Sequence, residues 1–192
     1  ESWRGVALLS FADGLCELAK HLEREKNDPQ QTPARRSELE AEIEAVISEA
    51  MGVARSAEGK VKPQYAGDPF SKQAELTRDP QLRLEIFQRA EDSLRKDLAA
   101  AQDAKLYTII HYEEALVTVL RRRAREFLQL RRYDEAYPAA EAAATLARKA
   151  SGLKQNQNLD GALAIQAEVH RARGQLERAE EVLAERMDVG LQ

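Results

Sequence analysis

Two stretches near the C-terminus of this 192-residue chain repeat each other, and that repetition restricts the fold more than any other feature of the sequence. The first runs from Leu120 to Ala143 and contains LRRYDEAYPAAEAA; the second runs from Leu163 to Arg186 and contains ARGQLERAEEVLAER. Ala136 and Ala179 hold equivalent places, 43 residues apart. Periods of this size mark arrays of supersecondary units, each of which buries its apolar face only by stacking on a neighbour. Stacked helical hairpins of this kind present extended surfaces that bind other proteins.

Composition agrees with helices. Hydrophobic residues make up 43% and charged residues 32%, so a core stands beside a heavily charged surface. Aromatics are only 5%, and Ala and Leu carry the apolar content. Close-packed helices use such residues; a β-sandwich draws on Val, Ile, Thr and aromatics. The net charge of −4 is too mild to favour nucleic acid as a partner or to mark an acidic tail. Cys16 is the single cysteine, so no intrachain disulfide forms, and it falls in an apolar helical pattern that reads as core. No apolar run is long enough for a membrane span. The chain begins at Glu1 rather than Met, which leaves a removed leader open; a cytoplasmic location is the expectation.

Periodicity predicts a first helix over Ser2–Lys26, with Leu8, Phe11, Leu15, Leu18 and Leu22 as one apolar stripe. Within it Gly5 and Gly14 weaken the helix or mark close approach of a neighbour. A polar turn follows, and Thr32 with Pro33 starts a second helix running to Ala57, its stripe formed by Leu39, Ile43, Val46, Ala50 and Val53 or Ala54. The short connection makes residues 1–58 an antiparallel hairpin. Residues 59–79 contain Gly59, Pro63, Gly67 and Pro69 without periodicity and read as a long loop, pinned by Tyr65 and Phe70. Asp79 and Pro80 start a third helix, with Leu84, Phe87, Ala90 or Glu91, Leu94 and Leu98 on its apolar face. A break is expected near Gln102–Ala104. The next helix, about 105–130, offers Leu106, Ile109, Ile110, Leu116, Val119, Leu120 and Phe127 to a core. Three shorter helices are expected at about 134–151, 159–173 and 176–187, with Gly174 as the tight-turn residue and KQNQN (154–158) as a polar connection.

Residues 120–187 resemble tetratricopeptide repeats. The first copy carries Leu120, Ala124, Phe127, Tyr133, Ala136, Ala140 and Ala143 in the motif's places; the second carries Leu163, Ala167, His170, Gly174, Leu176, Ala179 and Leu183. Small residues in such repeats let helices cross closely, and large ones fill the space between hairpins. The ordinary repeat has about 34 residues; the longer spacing here, with Pro138 two residues after Ala136, is similar to the kinesin-light-chain type. Arg123, His170 and Arg186 depart from the motif. FQRAEDSLRKDL, around Ala90, resembles the second helix of a further divergent repeat. The resemblance implies an all-α fold of antiparallel hairpins stacked as a right-handed superhelix, with residues 1–58 as a cap or a divergent repeat, residues 80–192 as repeats, and one continuous domain overall.

Catalytic signatures are missing. No stretch reads as GxxxxGK[ST] or GxGxxG, and the three histidines, His21, His111 and His170, are far apart in sequence. His111 and Glu114 lie one turn apart, but the further inward carboxylates of a di-iron bundle have no counterpart. No enzyme, metal or cofactor is expected. The acidic run Glu38, Glu40, Glu42 and Glu44 spreads around a helix and reads as a solvated face.

The basic run Arg121–Arg125 (RRRAR) is the strongest candidate site. The family register implies that Arg121, Arg122 and Arg125 face the concave groove, joined by Gln129, Glu168 and Arg171. Guanidinium groups donate in a rigid fork that matches carboxylates and phosphates. The alternative is an arginine-rich surface paired to Glu113 or Glu114. The function expected is a scaffold module that binds an acidic peptide or protein. The other reading is a structural module that self-associates into a homo-oligomer through its long helices.

Overall fold

The computed structural model describes residues 2–61, 68–150 and 155–190, and every regular element among them is an α-helix. The helices are α1 (Ser2–Lys26), α2 (Pro33–Ala57), α3 (Asp68–Leu76), α4 (Pro80–Asp103), α5 (Ile109–Gln129), α6 (Tyr133–Lys149), α7 (Gln155–Ala172) and α8 (Leu176–Gly190). The chain forms two compact units, Glu1–Arg78 and Asp79–Gln192, rather than one continuous domain.

In the first unit α1 packs along α2, and α3 packs on both. Thr32 caps α2, its hydroxyl accepting from Arg35 N–H at 3.2 Å, with Pro33 inside the first turn, where its missing N–H costs nothing. Leu22, Leu39 and Ile43 form a core, with Val46 and Ile47 against it. The expected loop holds α3, whose Phe70 is buried; Tyr65 and Pro63 lie outside the described residues. Gln73 is buried and donates to Glu58 Oε1 at 2.6 Å and to Pro69 O at 3.2 Å, tying α3 to the end of α2. Gly5 allows close approach, since a Cβ there would meet the Lys60 carbonyl.

In the second unit each helix from α4 to α8 packs on the next, and α5 also packs on α7. Asp79 caps α4, accepting from Gln81 N–H at 2.9 Å. The core joins Leu84 of α4, Ala124 and Phe127 of α5, Ala136 and Ala140 of α6, and Ile165 and Val169 of α7. All buried residues of α6 are alanines, which brings its axis close to its neighbours. Leu106 is a correction: it stays 47% exposed, because α5 begins only at Ile109 and Leu106 falls in the preceding turn.

One type of closure ends α4, α5 and α7: after α4, Leu106 N–H donates to Ala101 O at 2.9 Å and Lys105, at φ 51°, donates to Gln102 O at 3.0 Å. After α5, Arg132 N–H donates to Phe127 O at 2.9 Å and Arg131 N–H to Leu128 O at 3.0 Å. After α7, Gln175 N–H donates to His170 O at 2.9 Å and Gly174 N–H to Arg171 O at 3.0 Å. Arg131 and Gly174 both take positive φ, 57° and 73°. These are Schellman-type closures, the form in which a left-handed residue returns the chain antiparallel.

Candidate functional site

Helix α5 forms because Leu116, Val119, Leu120, Ala124 and Phe127 recur at helical spacing and are buried together. That stripe fixes where its arginines go. Arg123 lies on the inner side: its Nη1 donates to Glu91 Oε2 at 2.5 Å, and its guanidinium carbon sits 5.4 Å from the centre of the Phe127 ring. Glu91, itself buried, also accepts from Arg95 Nε at 2.8 Å. Arg83 of α4 likewise reaches Glu126 at 2.6 Å. These pairs neutralise the side of α5 that meets α4.

Arg121 and Arg125, one turn apart, lie away from that side, with Arg122 next to them. Arg121 and Arg122 are half-buried and Arg125 is exposed. Among the described residues none of the three has a carboxylate within salt-bridge distance, so pairing to Glu113 or Glu114 does not occur. Arg121 Nε is buried without a hydrogen-bond partner. Its guanidinium lies directly on Gly161 of α7, where any Cβ would collide with it. Burial holds the basicity of Arg121 below the ordinary guanidinium value; the neighbouring charges of Arg125 and Arg122 add to this, and Asp160 partly offsets it. Three cations on one face, one of them half-desolvated and unneutralised, form a region of positive potential suited to an anion.

The other expected residues are less closely joined to this group. Gln129 is exposed one turn beyond Arg125. Glu168 and Arg171 are exposed on α7, without a hydrogen bond linking either to the α5 arginines. Asp160 is committed to α8, accepting from Arg186 Nε at 2.7 Å. His170 is buried, donates from Nδ1 to Gln175 Oε1 at 2.8 Å and packs edge-on against Tyr137 at 5.6 Å. His111 and Glu114 are half-buried on α5, and no metal-type cluster of His, Cys, Asp or Glu occurs among the described residues. No described helix is long and apolar enough to cross a membrane.

Two features were not read from sequence. Gly161 is one; its signal was a glycine inside an otherwise helical pattern, which marks close approach of another group. The other is a cleft of about 500 Å³ between α4, α5 and α6. Leu98, Leu116, Leu120 and Leu146 line it, with Arg95 and Lys149 among its polar residues. Its size falls in the range of small-molecule sites, but its walls come from three helices and no single stretch of sequence encodes it.

No family model matches the chain, and neither a curated protein nor a solved structure does.

Proposed function

We propose that the chain is a non-enzymatic interaction module of the tetratricopeptide-repeat type, which holds an acidic segment of a partner protein against α5 and α7. In this reading α5/α6 and α7/α8 are successive repeats of a right-handed superhelix. Support for the repeat comes from the small residues Ala136 and Ala179, 43 residues apart in sequence and buried in equivalent places. Support for the ligand comes from one observation above the rest: among the described residues Arg121, Arg122 and Arg125 share a face without carboxylate partners, while Arg123 between them is paired with Glu91. A face left cationic at this cost to Arg121 is explained by a ligand that supplies the negative charge.

The test is selection of random peptides on the full chain, followed by anisotropy titration of the enriched sequences. Native protein should enrich peptides rich in Asp and Glu, with affinity that falls as salt rises. The Arg121→Ala/Arg122→Ala/Arg125→Ala variant, with helicity confirmed, should bind them about a hundredfold more weakly, equivalent to roughly 2.7 kcal/mol. Enrichment of uncharged peptides, or equal binding by the variant, would overturn the reading.

A further inference from the structure

Helices α4 and α6 each pack on α5 and make little contact with one another, and the cleft of about 500 Å³ lies between them. Pro138, Ala142, Thr145 and Lys149 form the stripe of α6 that faces it, at helical spacing. The first three are short, so this wall stands back from α4. Leu116 and Leu120 of α5 make the floor, and Leu98 and Leu146 the sides. At the Pro138 end the cleft adjoins a second cavity of about 250 Å³; the two share Arg95, Leu120, Pro138 and Ala142.

The second cavity is charged where the first is apolar. Glu91, Arg95 and Arg123 line it. Glu91 gives one oxygen to each arginine: Oε1 accepts from Arg95 Nε at 2.8 Å, and Oε2 from Arg123 Nη1 at 2.5 Å. Two guanidiniums thus share one carboxylate, which leaves the group an excess positive charge. Glu135, also in the lining, does not offset it, because Arg132 holds it at 2.9 Å. The group is also short of acceptors. Arg123 Nε is buried without a hydrogen-bond partner. The side chain of Arg95 is 53% exposed, and among the described residues only its Nε is engaged. In the apolar cleft Glu141 accepts from Gln166 Nε2 at 2.7 Å, and Lys149 balances its charge.

We infer that the two cavities form one site for a free long-chain carboxylic acid. Its carboxylate lies on the terminal nitrogens of Arg95, which offer a parallel pair of donors. Its hydrocarbon chain runs along the leucines between α4 and α6. A site of this kind needs apolar walls and a few placed polar groups, and the charge of those groups selects the ligand. Here the excess is cationic and sits at one end. From Pro138 to Lys149 α6 rises about 16 Å, which suits a chain of intermediate length. A neutral amphiphile would leave the excess charge unmatched, and a cationic one would be repelled. The site lies on the side of α5 that meets α4 and α6, and does not depend on the face formed by Arg121, Arg122 and Arg125.

Calorimetric titration of the full chain with dodecanoate, dodecanol and dodecyltrimethylammonium, each below its micelle concentration, tests it. The native chain should bind dodecanoate saturably at a single site, dodecanol about tenfold more weakly, and the cation not at all. Arg95→Gln should bring dodecanoate down to the affinity of dodecanol and leave dodecanol unchanged. Ala142→Phe, which fills the cleft from an accessible position, should weaken both. Circular dichroism confirms that each variant is folded. Acid and alcohol bound equally, unsaturable uptake, or either variant binding dodecanoate as the native chain does would overturn the inference. The Arg121→Ala/Arg122→Ala/Arg125→Ala variant should keep its affinity for dodecanoate; a loss there would place the acid on the other face and overturn it as well.

Discussion

Arg131 and Gly174 stand in the same backbone geometry, yet only the glycine adopts positive φ without steric cost. Arg131 therefore carries a local penalty in the α5–α6 turn. Arg131→Gly should raise stability by about 0.5–1 kcal/mol, and Gly174→Arg should lower it by about 1–2 kcal/mol, both read from urea unfolding midpoints at constant slope. Equal midpoints would show that the two turns differ in solution. Gly174 was legible in the sequence because glycine announces such a turn; Arg131 was not, because an arginine carries no sign of its φ. A similar limit applies on α1. Its five large apolar residues read as one stripe, but they span more of the helix circumference than one neighbour covers. The structure buries Leu22, half-buries Leu8 and Leu15, and leaves Phe11 and Leu18 outside. At the site, sequence placed Arg121, Arg122 and Arg125 together, since spacing on a helix fixes the face. The notch at Gly161 depends on the approach of another helix and was only visible in three dimensions.

At the level of elements, the helices with strong caps were legible almost to the residue. Thr32–Pro33 and Asp79–Pro80 start α2 and α4, and the break after α4 falls at Asp103. Helix α3 was missed because its nine residues, DPFSKQAEL, are too few to establish a period and follow glycine and proline. One contact between elements sets a pH dependence. Arg148 of α6 holds Glu185 of α8 with two hydrogen bonds of 2.7 Å. The hydrogen bond from Arg148 chiefly, and its charge, keep the Glu185 carboxyl below the usual range, despite an opposing effect of burial. A depressed acid contributes stability above its unfolded pKa, and that contribution is lost as pH falls through the folded one. Asp97 and Glu113, raised by burial, act in the opposite sense: they favour the folded state while protonated, and lose that advantage as pH rises. Glu185→Gln should therefore be less stable than the native chain at pH 7, and the gap should close below about pH 4.5. Denaturant midpoints across that range measure it; a gap independent of pH would refute the assignment to Glu185 ionisation.

Taken whole, the described residues show a core in each unit: Leu22, Leu39 and Ile43 in one, and the cluster around Phe127, Ala136 and Ile165 in the other. Composition and periodicity were enough to read the all-helical class. The division after Arg78 was hidden because α3 turns an apparent linker into part of the first unit. Each core is made within its own unit, so residues 79–192 expressed alone should keep their helicity and unfold cooperatively. Circular dichroism during thermal unfolding checks this, and a broad, non-cooperative melt would show that the second unit depends on the first. The alanine-lined α6 has a consequence for heredity. Every buried position there already holds one of the smallest side chains, so replacement has almost one direction, toward larger. Of the residues one base change away from an alanine codon, only glycine and serine avoid a substantial gain in bulk, and glycine weakens the helix. A helix whose buried face is alanine throughout thereby has a narrow set of acceptable alleles.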